Sequence, residues 1–237
     1  LNIDPSAAYR SLTIRFFTAL RAWGQVPLLW ALSLGIPVPK YNGKTGTNAY
    51  RLLHLLDPVS KAWYSALWRK YPYTLGPMTY GYLRGRCREE AILLLRTLQY
   101  RYAKAGWTVL MLLFDISNAF PSMAWEALES RTFQDLDPLD KPFLQIRHRE
   151  AMCAITDADN HIAVFRPTTG NRKGDGPAAQ QWARAFDHQI KTWQRNNFDI
   201  TSSSFLVSRD PWSNIPIFFG STLFADDLLK LILIPKG

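Results

Sequence analysis

The chain has 237 residues, 47% apolar and 20% charged, with a formal net charge of +9. That balance excludes a disordered tail and supplies ample material for a core. Two cysteines, Cys87 and Cys153, and no CxxC pair exclude a disulfide-stapled secreted domain, so a reducing, intracellular compartment is expected.

Residues 6–34 read as helix, with apolar side chains recurring at Leu12, Phe16, Leu20 and Trp23. Pro37 and Pro39 make 35–40 extended. Residues 42–48 form a polar loop. It contains Gly43-Lys44-Thr45, but Val38 stands where a P-loop needs glycine, which excludes that motif. Asp57 as N-cap and Pro58 in the first turn open a helix over 57–70. A connection rich in Pro, Gly and Tyr covers 71–82. Residues 89–105 carry a helical stripe of Ala91, Leu94, Leu95, Leu98 and Tyr102, ended by Gly106. The six apolar residues 109–114 are the longest such run, far short of the roughly 20 a membrane span needs. They predict a buried central strand. Ser122 is a candidate N-cap for a short helix over 122–130. Residues 131–169 are mixed and carry little pattern. After Pro177, Ala179, Trp182, Ala183, Phe186 and Ile190 mark a long amphipathic helix, and 197–214 is a polar loop. Two apolar runs, 215–225 and 228–234, flank Asp226-Asp227 and predict a hairpin. No signal peptide is visible. The first residue is Leu rather than Met, which leads us to expect a piece of a longer protein.

Charge divides the chain. Residues 1–107 hold 15 Lys/Arg against 4 Asp/Glu, a net of +11; residues 108–237 hold 13 against 15, a net of −2. A basic half beside a mildly acidic one suits a protein that holds a polyanion with one part and acts on it with the other.

The acidic part has two chemically unusual features. Asp115 directly follows an apolar strand, and Asp226-Asp227 stands at a turn between two others. Each alone is an ordinary turn residue. Together they supply three carboxylates that could meet at one sheet edge, where a hard cation such as Mg²⁺ would compensate their repulsion. Two such ions would activate an attacking hydroxyl and stabilise a leaving phosphate oxygen. Histidines 54, 148, 161 and 188 form no metal-ligand spacing.

These residues also resemble a family. Leu113-Phe114-Asp115-Ile116-Ser117-Asn118-Ala119-Phe120 resembles the first catalytic motif of reverse transcriptases. Phe224-Ala225-Asp226-Asp227 resembles their acidic hairpin, in the form found in retrotransposons without long terminal repeats and in group II introns. Gly174-Asp175-Gly176-Pro177 resembles the Gln-Gly-Asp-Pro segment. Gly81-Tyr82-Leu83-Arg84-Gly85-Arg86-Cys87-Arg88-Glu89-Glu90-Ala91-Ile92 resembles a finger helix entry. Tyr50-Arg51-Leu52-Leu53 and Pro39-Lys40 are similar to two finger strands. All six occur in the family's order.

The resemblance implies an α+β fold, the fingers and palm of a right-hand polymerase, with an antiparallel palm sheet, helices on one of its faces and no thumb. It implies a basic finger-like region over 1–107, a palm over 108–130 and 170–237, and a connecting insertion over 131–169. Asp115, Asp226 and Asp227 would ligate two Mg²⁺ (Mn²⁺ as a substitute), with the Ile116 carbonyl as a further ligand. Phe120 would lie under the sugar of the incoming nucleotide and clash with a 2′-hydroxyl, selecting dNTP. Lys40, Arg51, Lys173 and Gly174 would meet the nucleotide, and Arg84, Arg86 and Arg88 nucleic acid. The implied partners are an RNA template, a DNA primer and dNTP, with no membrane; a eukaryotic retrotransposon would act in the nucleus. Lys173 replaces the family's Gln, and Gly176 is an extra residue. The expected activity is RNA-directed DNA synthesis. The alternatives are a non-catalytic remnant of a retroelement that at most binds nucleic acid, and an RNA-directed RNA polymerase.

Overall fold

A computed structural model of the chain describes residues 5–41, 43, 45–116, 119–157, 159–196, 206–214, 216–225 and 227–236. In chain order its elements are α1 (Pro5–Trp23), β1 (Leu32–Pro39), β2 (Tyr50–Leu56), α2 (Pro58–Arg69), α3 (Arg88–Lys104), β3 (Trp107–Asp115), α4 (Ala119–Ser122), α5 (Trp125–Thr132), α6 (Lys141–Arg149), β4 (Met152–Thr156), β5 (Ile162–Phe165), α7 (Ala178–Asn196), β6 (Val207–Arg209), β7 (Pro216–Phe218), β8 (Ser221–Phe224) and β9 (Asp227–Pro235). Packing divides the chain into two units, Leu1–Pro72 with Phe120–Ala178, and Tyr73–Ala119 with Ala179–Gly237. The charge boundary at 107/108 is not a packing boundary. It falls inside the second unit, because net charge is carried by surface groups and the units are defined by internal contacts.

The first unit builds its core from aromatic side chains. Phe17 of α1 stacks on Trp63 of α2 with ring centroids 4.4 Å apart, and Tyr64, Trp68, Phe143 and Leu144 are buried. α1 is shorter than its apolar periodicity predicts. Gly24, at φ 63°, closes it by donating its N–H to the Leu20 carbonyl, and Pro27 precedes a separate 3-10 turn, Leu28–Trp30. α2 begins as expected, with the Ser60 N–H donating to Asp57 Oδ1 at 2.7 Å. Ser122 is not the N-cap of this helix: it ends α4, and Ala124 is the N-cap residue of α5. The stretch 131–169 supplies α6, β4 and β5. The sheet has the order β2-β1-β4-β5, with β4 parallel to β1 and the other pairs antiparallel. One face buries Ser33 and Cys153; the other leaves Leu34, Ile36, Val38, Leu53, Leu55 and Val164 exposed.

The second unit contains an antiparallel sheet of order β3-β9-β8 and a separate β6–β7 pair. Leu98 of α3 packs on Leu229 and Leu231 of β9, joined by Val109 and Met111 of β3. The apolar run of β3 predicts a buried central strand, and the structure corrects this. β9 is central and β3 lies at the sheet edge, with Leu113 77% and Phe114 49% exposed. Six apolar residues satisfy the pattern of burial on both faces, but α3 covers only the Val109/Met111 side. By strand alternation Lys230 lies on the opposite face. Its ammonium sits 4.9 Å from the Trp193 ring of α7. Helices therefore flank both faces, not one. Among the described residues no helix is long and apolar enough to cross a membrane. Cys87 is exposed and Cys153 buried, and neither forms a disulfide.

Candidate active site

The β3–β9 register pairs Phe114 with Leu228 and Asp115 with Asp227 at the end of the ladder. Directly opposed residues of an antiparallel pair share a face, with Cβ atoms about 4.5–5.5 Å apart. Both residues are exposed. They point to the α3 side, past the end of its cover, which stops at Met111. Alternation along a single strand would separate neighbours such as Asp226 and Asp227, which favours Asp226 as the partner of Asp115. The cross-strand register sets Asp227 opposite Asp115. Asp226 lies outside the described residues. Ile116 follows directly at the strand end and is half-buried. Two exposed carboxylates on one face at this spacing are hard oxygen donors suited to a divalent cation.

The hairpin that carries Asp227 is braced from behind by the segment 76–81 and by α7. The Leu223 N–H donates to the Met78 carbonyl at 3.0 Å, and the Tyr80 N–H to the Leu223 carbonyl at 2.8 Å. Ala225 turns at φ 57°, unusual for a residue with a side chain. Gly81 lies against that turn: a Cβ at position 81 would come within 2.1 Å of the Ala225 nitrogen. Asp187 of α7 fixes the start of this segment, accepting from Gly76 N (3.0 Å) and Thr79 Oγ1 (2.9 Å) and pairing with Lys191 at 2.6 Å. The signal was available in the glycine of Tyr80-Gly81-Tyr82, whose need is steric rather than helical.

The residues assigned to the nucleotide fall in the first unit. The Lys40 N–H extends the β1–β2 ladder by donating to Ala49, and Val38 pairs with Arg51. Carried one residue past the strand, alternation sets Lys40 and Arg51 on one face as diagonal neighbours. Phe120 is half-buried in α4, and its carbonyl accepts from the Asn171 N–H at 2.9 Å. Lys173 is half-buried, and its carbonyl accepts from the His54 N–H of β2 at 2.8 Å. Gly174, at φ 111°, leaves no room for a side chain, since a Cβ would meet the His54 carbonyl oxygen at 2.5 Å. Its glycine therefore has a packing reason. In the second unit, Arg84, Arg86 and Arg88 are exposed; Arg86 donates to the Pro77 carbonyl, and Arg88 pairs with Glu89.

Behind Lys173 lies a buried charged network. The Arg147 guanidinium grips the Asp175 carboxylate through two hydrogen bonds, 2.9 and 3.1 Å. It also donates to the Trp30 carbonyl and Ser60 Oγ, and it stacks 4.3 Å over the Tyr64 ring. Arg172 donates to the Ala31 and Arg147 carbonyls; burial, then the Arg147 charge, pulls it down to about 10. Burial pushes the Asp175 carboxyl up, but the Arg147 charge and hydrogen bonds outweigh it and hold it below the usual range. His54 is pulled down to about 4 by burial and then by the Arg172 charge, with Ser33 Oγ 3.1 Å from its Nδ1. His161, scattered in sequence, joins Asp157 and Asp159 in an exposed β4–β5 turn with donor atoms within 4.8 Å of one another. Asp157 organises that turn by accepting from the N–H groups of Asp159 and His161.

No family model and no curated protein matches the sequence. Solved structures do. The chain is similar to apo telomerase from Candida tropicalis truncated from its C-terminal domain, with a TM-score of 0.56 at 12% identity over 97% of this chain and 51% of that one. It is also similar to telomerase from Candida albicans in complex with a TWJ fragment of telomeric RNA, with a TM-score of 0.58 at 8% identity over 98% of this chain and 43% of that one. The Candida tropicalis telomerase bound to the same kind of RNA fragment gives 0.55 at 11%, covering 94% of this chain. The chain thus spans between 39% and 51% of the length of these telomerases. At such identities the likeness is one of fold alone: the chain shares a mixed α+β fold with part of these telomerases.

Proposed function

We propose that this chain carries an RNA-directed DNA polymerase centre. The first unit and the exposed strands serve as fingers, and the β3-β9-β8 sheet serves as the palm. The observation that carries the reading is the register pairing of Asp115 with Asp227 at the strand end, within a fold shared with telomerases. The Ala before the acidic pair assigns the chain to the retrotransposon or intron type, an assignment that rests on the motif alone.

In this reading Asp115 and Asp227, with Asp226 and the Ile116 carbonyl, would hold two Mg²⁺. When bound, the metal would supply Lewis-acid activation of a primer 3′-hydroxyl and stabilise the leaving phosphate oxygen. Lys40, Arg51 and Lys173 neutralise triphosphate charge, Gly174 lets backbone approach, and Phe120 excludes a 2′-hydroxyl. Arg84, Arg86 and Arg88 meet the phosphates of an RNA template or its DNA primer, a contact that salt weakens by counterion release.

The test is primer extension on an RNA template with dNTP and with NTP, comparing the native chain with Asp115→Asn. Incorporation of dNTP that Asp115→Asn abolishes supports the reading. Nucleic-acid binding without incorporation turns it to a retroelement remnant. Equal use of NTP overturns the role of Phe120 and points to an RNA polymerase.

A further inference from the structure

Residues 171–177 connect the first unit to α7, and they carry two groups assigned above to the nucleotide, Lys173 and Gly174. Their first residue, Asn171, donates its N–H to the carbonyl of a third, Phe120. What holds this loop is not its own regular structure but side-chain charge. Asp175 is the anchor. Its side chain is 7% exposed and both carboxylate oxygens go to Arg147, whose side chain is 1% exposed. Arg147 in turn reaches Trp30, Ser60 and Tyr64, so the anchor is tied to the 3-10 turn before β1 and to α2.

On the reading given under "Proposed function", we propose that Asp175 and Arg147 are positioning residues for the nucleotide: neither touches it, and together they fix the 171–177 loop so that Lys173 is presented beside β2 and the Phe120 carbonyl is held by Asn171. The chain of contacts is short. Asp175 also donates its N–H to the Arg172 carbonyl at 3.1 Å, closing a turn around Lys173, and the Lys173 carbonyl is clasped by His54. Releasing the carboxylate frees the turn at the residue whose side chain meets the phosphates. A point-charge partner would tether the loop; the planar two-bond grip of a guanidinium also sets its orientation.

The experiment is a comparison of dNTP KM and kcat in primer extension for the native chain, Asp175→Asn, Lys173→Ala and the double variant, with amide hydrogen exchange on each. Asp175→Asn should raise the KM for dNTP about tenfold while kcat and primer–template affinity change less than twofold. The double variant should be no worse than the poorer single, because both losses act through one group. Exchange at the His54 amide should quicken at least tenfold in Asp175→Asn while the amides of α6 stay protected. An unchanged KM in a folded Asp175→Asn protein, full multiplication of the two single effects, or an unchanged His54 amide each overturns the proposal. Where Asp175→Asn folds poorly, Arg147→Met with Asp175→Leu removes both buried charges together, a change that such pairs tolerate far better than loss of one partner. It should show the same rise in KM and the same faster His54 exchange. The two readings separate cleanly. Loss of all incorporation by the native chain sinks the polymerase assignment, while the His54 exchange still decides whether Asp175 and Arg147 hold the loop.

Discussion

Two groups of charged side chains, one in each unit, stand in opposite settings. In the first, Arg147, Arg172, Asp140 and the Asp175 side chain are buried, and both of these carboxylates have cationic partners: Asp175 meets Arg147, and Asp140 meets Arg21, Lys70 and the Tyr71 hydroxyl. In the second, Asp115 and Asp227 face each other across a strand pair, exposed, with like charge against like. A buried pair that holds a loop fixes geometry and makes stability sensitive to loss of either partner. An exposed pair of carboxylates on one face suits a cation brought from outside. The difference teaches which acidic groups shape the protein and which are left for chemistry.

The largest expected effect tests the exposed pair. Asp115→Asn should lower nucleotide incorporation by about 10³-fold, the scale of losing a preorganised electrostatic group. Its urea midpoint should stay the same or rise, because a like-charge repulsion is relieved. A variant that is both inactive and unfolded would place Asp115 with the structural acids instead. The second effect tests the buried pair from the other side. Arg147→Ala should cost about 3–5 kcal/mol, since it strands the Asp175 carboxylate. Thermal melting of the native chain and the variant measures it, and a fall under 1 kcal/mol would deny the buried network its role.

A smaller effect belongs to the brace behind the acidic hairpin. Gly81→Ala puts a methyl against the Ala225 nitrogen and should cost about 1–3 kcal/mol, as overpacking does. It should also depress incorporation, because the displaced turn leads directly into Asp227. Full activity at unchanged stability would show that the turn can move aside freely.

Much of the fold was legible where local chemistry decides it. Asp57 and Pro58 announce α2, the Leu94/Leu95/Leu98 stripe announces α3, and the apolar runs around Asp226-Asp227 announce the β8–β9 hairpin. The candidate site was legible as a motif, but the pairing of Asp115 with Asp227 was not. That depends on cross-strand register, which alternation along one strand cannot supply. The edge position of β3 was hidden for the same kind of reason: an apolar run states what could be buried, not what covers it. The stretch 131–169 carried no periodicity, yet it supplies Arg147 and Asp140. Their meaning lies in partners a hundred residues away, such as Trp30 and Arg21.

The last and smallest effect returns to the first unit and to pH. His54 titrates near 4 in the folded chain and near 6.5 when unfolded. Between those values the unfolded chain binds the extra proton, so stability must fall as pH drops through that window. The full shift corresponds to roughly 3 kcal/mol; partial exposure of the ring reduces the expectation to about 1–2 kcal/mol. The groups facing the ring support the sign: Arg172 and Lys173 oppose a charged imidazole and only Asp175 favours one. Below about 4 a second loss begins, because Asp140 and Asp175 have depressed carboxyls whose stabilisation disappears as they protonate. Urea midpoints at pH 7, 5.5 and 4.5 should therefore decline in the native chain. In His54→Gln they should be flat over the same range, with the acid limb below 4 retained. A native chain equally stable at pH 7 and 4.5 would mean that His54 accepts its proton in place, and that the clasp on Lys173 is looser than the buried network around it.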